Sequence, residues 1–194
     1  LRGDEESSGN VPSVLFIEEG NYRGEGGYIT MKKPLSMYGA GCGKTTLVGV
    51  GLMIEGNKSD GIVEIEDLTI KGAEGNGLFA YEGMTVIMRG SSVEFCGRNG
   101  VKADGADISC NDLQVVGCHL NGVEADDNAT ITLSGQGTTI HENVTSGNEY
   151  FYGLASRSAT RNGPSKINLV HPLTRKQIST KNGGGGNWEC KRYF

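Results

Sequence analysis

Acidic residues recur at matching positions in successive stretches of the chain, with basic residues beside them. Asp104 and Asp126 are 22 residues apart, and Asp127 follows directly. Carboxylates stacked one repeat apart lie near enough to raise a pKa, which suits acid or base chemistry, or to hold a hard cation such as Ca²⁺. Lys102 and Arg157 are the candidate basic partners. These residues are the candidate catalytic set, with Asp104 and Asp126 as ligands if Ca²⁺ binds. A solvated acidic face is the alternative.

Aromatic and polar side chains near this set are candidates for ligand binding. Tyr81 and Glu124 fall at the same repeat positions as the acidic set. Tyr150 and Tyr152 flank Phe151 in a stretch that interrupts the repeat, and Trp188 is the only tryptophan. Aromatic faces suit the stacking of sugar rings, whereas a lid over the core explains the tyrosines equally well.

The elements that must position these residues repeat along the chain. The same Asn-Gly-apolar signature occurs at 76–78, 99–101 and 121–123, with offsets of 23 and 22 residues. An internal period of this length predicts a solenoid. The next equivalent position, Gly153, comes 31 residues after Gly122, so about nine residues are inserted, placed around His141–Tyr150. Insertions in solenoids form loops on one face, often the functional face.

The pattern within each repeat selects strands. Apolar residues alternate with mostly polar ones, and no stretch holds an amphipathic helical pattern long enough for a helical repeat. The fold class is therefore all-β: a right-handed parallel β-helix, or β-solenoid, of about seven coils of roughly 22 residues. Two inward columns and two outward columns are predicted: Ile65, Met88, Cys110 and Leu133; Leu78, Val101, Val123 and Leu154; Phe79, Lys102 and Glu124; Tyr81, Asp104 and Asp126.

Three motifs near the start of the chain resemble those of a known superfamily. The runs FIEEGNYRG, ITMKKPLSMYGAG and KTTLVG are similar to the opening coils of pectin-lyase-like β-helix proteins. The resemblance covers roughly Val14 to Ala159 and implies the fold. It implies no single activity, because this fold hosts lyases, hydrolases, esterases, epimerases and non-catalytic proteins.

The catalytic motifs of that superfamily are incomplete in this chain. The run Ala125–Asn128 resembles the Asp-Asp pair of polygalacturonases. The accompanying Asn-Thr-Asp, Gly-His-Gly and Arg-x-Lys motifs do not occur, and neither does the Asp-Pro-His of mannuronan epimerases. The resemblance therefore leaves the enzymatic role of the carboxylates open.

Composition divides the chain into three segments. Residues 1–10 are a polar, exposed lead-in, 11–160 form the β-helix, and 161–194 form a basic, Gly-rich C-terminal segment that is a candidate end cap. The last segment has a net charge of +6 against −5 for the whole chain. Because the body is acidic, we expect no nucleic-acid partner. No apolar run is long enough for a membrane span.

A phosphate-binding loop at Gly39–Thr46 is excluded, because Tyr38 stands where the first glycine is required and no helical stretch follows. The five cysteines include Cys96 and Cys118, which stack one repeat apart with His141 next in the same column. A metal site there lacks a fourth ligand, so we expect partly buried free thiols.

Candidate N-glycosylation sites bear on the compartment. The sequons at Asn57, Asn128 and Asn143 favour an extracellular or secretory-lumen location, although the sequence does not establish the compartment.

Two functional classes remain open. The first is a non-catalytic β-helix scaffold or interaction module that binds polysaccharide or a protein partner in a larger assembly. The second is a lyase, hydrolase or epimerase acting on an acidic glycan. The incomplete catalytic motifs favour the first class. No cofactor is expected apart from the candidate Ca²⁺.

Overall fold

The computed structural model describes residues 13–157 and 164–191, which form three parallel seven-stranded sheets. The first sheet contains β1 (Ser13–Phe16), β4 (Leu35–Tyr38), β7 (Ile62–Glu66), β10 (Thr85–Arg89), β13 (Asp107–Asn111), β16 (Thr130–Ser134) and β19 (Lys166–Leu169). The second contains β2 (Gly20–Arg23), β5 (Thr45–Val48), β8 (Thr69–Lys71), β11 (Ser92–Glu94), β14 (Gln114–Val116), β17 (Thr139–His141) and β20 (Ser179–Thr180). The third contains β3 (Tyr28–Met31), β6 (Gly51–Glu55), β9 (Leu78–Tyr81), β12 (Val101–Asp104), β15 (Val123–Asp126), β18 (Leu154–Arg157) and β21 (Trp188–Lys191). One short helix, α1 (Arg175–Ile178), precedes β20.

This topology is a parallel β-solenoid, as the sequence predicts. Each strand pairs with the strands three before and three after it, so every coil adds one strand to each sheet. The chain makes about six full turns from the first strand of a sheet to the last, close to the predicted seven coils. Both predicted inward columns are confirmed by the strand register, since Ile65 pairs with Met88 and Leu78 pairs with Val101.

The core is a narrow apolar column inside the three sheets. Its members come from all three sheets, and most are less than 2% exposed. Alternation along each strand explains this, because every second side chain points inward. The largest fully buried side chains include Leu52, Ile65, Ile70, Leu113 and Leu133.

Residues at the coil corners adopt the left-handed backbone conformation, with a positive φ angle, and not all of them are glycine. At the corner between the first and second sheets, Asp67, Gly90, Asp112 and Gly135 have φ values of 56°, 53°, 52° and 84°. Asp tolerates this region better than most non-glycine residues, because its short side chain bonds locally. The carboxylate of Asp112 accepts a 2.8 Å hydrogen bond from the Gly137 amide. Backbone geometry thus selects Gly or Asp at these positions.

The glycines of the Asn-Gly signature have a different role. Gly77, Gly100 and Gly122 do not adopt left-handed angles, but a Cβ there would overlap an inward side chain of the next coil. At Gly100 it would also lie 2.7 Å from the carbonyl oxygen of Gly122. Close approach of successive coils, rather than a positive φ, therefore requires glycine here.

The asparagines before these glycines form a buried hydrogen-bonded ladder. The Nδ2 atom of Asn99 donates to Oδ1 of Asn76 at 3.0 Å, and that of Asn121 donates to Oδ1 of Asn99 at 3.1 Å. The ladder begins at the Tyr28 hydroxyl, which accepts from the Asn76 amide at 2.7 Å. It ends at the Tyr152 amide, which donates to Oδ1 of Asn121 at 2.7 Å.

Four sequence predictions concern other parts of the chain. The Gly39–Thr46 stretch consists of a turn and the first two residues of β5, which agrees with the exclusion of a phosphate-binding helix. Residues 164–191 supply β19, α1, β20 and β21, which continue the three sheets by one further coil. The predicted lead-in, residues 1–10, and the end of the predicted cap lie outside the described residues. Within the described ranges, no helix is long and apolar enough to cross a membrane.

Candidate functional site

The outer face of the third sheet brings most of the candidate residues together. Because β9, β12 and β15 are in register, Phe79, Lys102 and Glu124 form one outward column. Tyr81, Asp104 and Asp126 form the second, as the repeat alignment predicts. The residues between them in each strand point into the core. The strand register therefore gives these side chains one shared surface.

Lys102 lies at the centre of this surface and is surrounded by carboxylates. Its Nζ atom is 3.4 Å from Oε1 of Glu124, 3.7 Å from Oδ2 of Asp104 and 3.8 Å from Oδ2 of Asp126. It also lies 5.9 Å from the centre of the Phe79 ring. The ammonium group is thus neutralised within the protein, and a ligand would have to compete with three carboxylates for it.

The Glu124 side chain is almost fully buried and interacts with other side chains of the protein. Its side chain is only 3% exposed, and its Oε2 atom accepts a hydrogen bond from Nδ2 of Asn121. Its Oε1 atom faces Lys102 and also lies 4.0 Å from Nε of Arg157. A buried carboxylate needs such partners, because desolvation of an unpaired charge is costly. Glu124 therefore connects the asparagine ladder to the charged surface, and its role in ligand binding stays a prediction.

Asp104 has the electrostatics of an acid or base candidate. Partial burial raises its pKa above the ordinary value of 3.8, the Lys102 ammonium opposes this, and the Asp126, Asp127 and Glu124 carboxylates add to the rise. The net result is a raised pKa. Asp104 and Asp126 are adjacent in the strand register, so they form a carboxylate pair of the kind that the sequence predicts.

A cation fits this pair poorly. Lys102 already places its positive charge within 3.8 Å of both carboxylates. Among the described residues, no group of three His, Cys, Asp or Glu side chains is arranged to hold a metal ion. Ca²⁺ binding at Asp104 and Asp126 stays a prediction, and it would require Lys102 to move away.

Two clefts lie at the corner where the third sheet turns into the first. One, of about 550 Å³, is next to the acidic column, and Asp127 is in its wall. The other, of about 290 Å³, includes Tyr81 and Glu82. Glu82 and Asp127 both occupy left-handed corner positions, with φ values of 42° and 48°. Glu82 and Lys58 were not predicted from the sequence, although an acidic residue or Gly follows each of the four strands β6, β9, β12 and β15.

The insertion contacts Arg157 of this surface, which donates a hydrogen bond to the Tyr150 carbonyl oxygen at 3.2 Å. The turn 142–153 has twelve residues, whereas the equivalent turns 72–77, 95–100 and 117–122 have six. Tyr150 is 61% exposed, while Tyr152 is half-buried and attached to the asparagine ladder by its backbone. Phe151 lies under Arg157, with the guanidinium carbon 5.6 Å from the ring centre. Only Tyr150 of these aromatics is well exposed for a ligand.

Trp188 lies away from the acidic surface. It pairs with Leu154 in the register of the third sheet, so it continues an inward column at the last coil. Its position explains its partial exposure of 38%, because β21 is the last strand of its sheet in the described chain. Trp188 is therefore not on the outer face that carries Tyr81.

The predicted Cys-Cys-His column is wrong. His141 pairs with Val116, and the Cys118 amide instead donates to Oδ1 of Asn143 at 3.0 Å. The turn before β17 is two residues longer than the one before β14, which shifts the alignment. The four cysteines whose side chains are described are free thiols: Cys42, Cys96, Cys110 and Cys118. Burial raises the pKa of Cys110 to about 12, so this thiol stays protonated.

The three sequon asparagines differ in accessibility. Asn57 and Asn128 are exposed and both line the larger cleft. Asn143 is 1% exposed, and its Nδ2 atom donates to the Val115 carbonyl and to Oδ1 of Asn182 at 3.1 Å each. A glycan on Asn143 is incompatible with this packing.

Comparison with known proteins adds little. No family model and no curated protein matches the chain. Among solved structures, the A-module of the mannuronan C-5 epimerase AlgE4 from Azotobacter vinelandii matches with 11% identity and a TM-score of 0.33. The match covers 93% of this chain and 89% of that one. The fold is consistent with a pectin-lyase-like β-helix. That statement rests on the three parallel sheets, since a similarity this low supports no transfer of activity.

Proposed function

We propose that this protein is a non-catalytic β-helix module that binds a hydroxyl-rich polysaccharide on the outer face of its third sheet. The observation that supports this most is the pairing of Lys102 with three carboxylates. Enzymes acting on acidic glycans use basic groups to neutralise the substrate carboxylate. In this chain, Lys102 and Arg157 already face Glu124.

The charge of the surface favours an uncharged glycan over an acidic one. Three carboxylates face only two cations, so a polyuronate would be repelled. The carboxylates of Asp104 and Asp126 are about one-quarter exposed and are suitable acceptors for sugar hydroxyl groups. Tyr81, which is 40% exposed and 5.9 Å from the Phe79 ring, adds an aromatic surface for stacking.

One observation favours an enzyme as the second candidate. The raised pKa of Asp104, next to Asp126, is the arrangement that acid and base catalysis uses. In this alternative Asp104 is the proton donor and Asp126 is the second carboxyl group of the pair.

A glycan panel separates the two candidates. The panel contains uncharged β-glucans and galactans and several polyuronates, each tested with and without Ca²⁺. Calorimetry measures binding, and a product assay detects new reducing or unsaturated ends. We expect binding of an uncharged glycan without products. Tyr81→Ala should weaken binding about tenfold or more, which corresponds to about 1.4 kcal/mol. Phe95→Ala is the matched control, because Phe95 is an exposed aromatic at a corner outside this face.

The outcomes are distinct. Product formation that is lost in Asp126→Asn would establish the enzyme and overturn the binding module. Preference for polyuronates, or equal losses of binding in the Tyr81 and Phe95 variants, would contradict the proposed surface.

A further inference from the structure

A third cleft lies at the corner between the first and second sheets. It has a volume of about 360 Å³, within the usual range for small-molecule sites. One wall is formed by the turn 135–138 and the first residue of β17, and the other by the segment 172–178, which contains α1. The outer face of the third sheet lies on a different side of the solenoid. The cleft is therefore a separate candidate site.

Hydrogen bonds hold both walls of this cleft in place. In the turn, the Gly137 amide donates to Oδ1 of Asp112 at 2.8 Å. In the opposite wall, the Ile178 amide donates to the Thr174 carbonyl oxygen at 3.1 Å, which closes the single turn of α1. A ligand would therefore meet a preformed cleft, and binding would not have to order these two segments.

The wall of this cleft is uncharged. Among the described residues, no acidic or basic side chain lines it, and Arg175 and Lys176 of α1 are not part of its wall. The two clefts beside the third sheet differ in this respect, because Lys58, Glu82 and Asp127 line them. A charged ligand would find no opposite charge in the uncharged wall, and removing its charge from water would be costly. The lining therefore selects a neutral ligand.

Three polar side chains of the wall have groups available for a ligand. Within the described part of the chain, the side chains of Gln136 and Thr139 form no hydrogen bond. The Oε1 atom of Gln177 accepts from the Thr174 amide at 3.1 Å, which leaves its Nε2 group as a donor. Amide and hydroxyl side chains supply both donors and acceptors, and a ligand hydroxyl group does the same. The polar part of the wall therefore suits a ligand with several hydroxyl groups.

The rest of the wall is apolar. Pro172, Leu173 and Ile178 line the cleft together with the polar groups. Leu173 is half-buried and Ile178 is 2% exposed, so both are held by the core rather than by solvent-exposed loops. A mixed lining of this kind suits a ligand with one apolar face and a few polar groups. A sugar ring has this character, with C–H groups on its face and hydroxyl groups at its edge.

We propose that this cleft binds a single ring of a neutral sugar. The hydroxyl groups of the ring bind Gln136, Thr139 and Gln177, and its C–H face contacts Pro172 and Leu173. This site is additional to the polysaccharide surface on the third sheet and does not depend on it.

NMR titration of the isotopically labelled 194-residue chain tests the site. The neutral probes are glucose, galactose and N-acetylglucosamine. Glucuronate is the charged probe, and glycerol carries hydroxyl groups without a ring. Gln136→Ala and Thr139→Val each remove a hydrogen-bonding group that the fold does not use. Thermal melting checks that each variant folds.

Two matched controls keep the residue type and change the position. Gln114→Ala corresponds to Gln136→Ala, because Gln114 is also exposed but does not line the cleft. Thr132→Val corresponds to Thr139→Val, because Thr132 is also half-buried on an outer face and does not line the cleft. Tyr81→Ala serves as a third control, since it alters the polysaccharide surface alone.

At least one neutral sugar should shift the resonances of the Gln177 side-chain amide and the Leu173 methyl groups in a saturable way. Gln136→Ala and Thr139→Val should each weaken this binding about fivefold, the usual effect of losing one neutral hydrogen bond. The two matched controls and Tyr81→Ala should leave the affinity within about twofold of wild type.

Four outcomes would overturn the inference. The first is the absence of saturable shifts at the cleft with every neutral sugar. The second is tighter binding of glucuronate or equal binding of glycerol, which contradicts recognition of a neutral ring. The third is an equal loss of affinity in the matched controls. The fourth is a loss in Tyr81→Ala alone, which would assign the sugar to the third sheet and favour the polysaccharide surface instead. The two proposals can therefore fail separately.

Discussion

The Asn76–Asn99–Asn121 ladder links fold stability to the charged surface at the level of single side chains. Asn99 is 5% exposed, accepts from the Asn121 side chain and donates to Asn76. Asn121 in turn donates to Glu124, so the ladder and the Lys102 cluster share one hydrogen-bonded network.

Asn99→Ala should leave its buried ladder partners unsatisfied. We expect a loss of about 1–3 kcal/mol in the free energy of unfolding, measured by urea denaturation. Asn168→Ala is the control, because Asn168 is exposed on the outer face of β19, and its effect should stay within about 0.5 kcal/mol. Equal effects of the two substitutions would contradict a structural role for the ladder.

Asp104 should make stability depend on pH in a specific direction. Its folded-state pKa is raised above 3.8, mainly by burial, so the folded chain binds more protons than the unfolded chain in the window between the two values. Stability contributed by this group therefore falls as pH rises through that window. Asp104→Asn removes this loss, so the variant should gain stability relative to wild type as pH rises from below the ordinary pKa of 3.8 through the raised pKa.

The Lys102 ammonium gives an internal check on that prediction. It lowers the pKa of Asp104 against the effect of burial, so Lys102→Met should raise the pKa of Asp104 further and widen the window. Denaturation of the variants across the pH range measures both effects. A relative stability of Asp104→Asn that declines with rising pH would mean that the ionised Asp104 stabilises the fold.

At the scale of the coil, two kinds of glycine are required for different reasons. Gly100 is limited by space, since a Cβ would overlap Val115 and lie 2.7 Å from the Gly122 carbonyl oxygen. Gly72 is limited by its φ of 65°, while a Cβ there would meet nothing within 4 Å.

Alanine at these two positions should therefore have different costs. Gly72→Ala should cost about 1–2 kcal/mol, the usual penalty of a left-handed residue. Gly100→Ala should cost more, because the added Cβ forces successive coils apart. Overpacking of this kind costs about 1–3 kcal/mol and occasionally more. Urea denaturation measures both, and a larger loss for Gly72→Ala would contradict the close-approach argument.

At the scale of the whole molecule, the coils stabilise one another only through their neighbours. The last coil covers inward side chains that are at most 2% exposed, including Leu133, Ile140 and Leu154. Removing residues 158–194 should expose them, lower the urea midpoint and cause aggregation that light scattering detects. A truncated chain that stays monodisperse and equally stable would show that the last coil does not act as a cover.

The sequence alone determined the repeat, the strands and both outward columns of the third sheet. Lys102, Asp104, Glu124 and Asp126 stand at constant offsets from Asn-Gly signatures, and strand alternation assigns each side chain to one face. Where the period of 22 or 23 residues holds, the register between neighbouring strands can be predicted by counting residues along the sequence. The prediction of Phe79 and Tyr81 as neighbours in these columns was therefore correct.

The tertiary structure decided what counting could not. The sequence shows that about nine extra residues precede Gly153, but it does not show which turns contain them. In the structure they are distributed over several turns, so His141 is not in the cysteine column. Burial of Glu124 and Asn143 depends on side chains and turns from neighbouring coils. Lys102 pairs with three carboxylates because side chains from two strands converge. Such contacts arise from packing across coils, which no local pattern encodes.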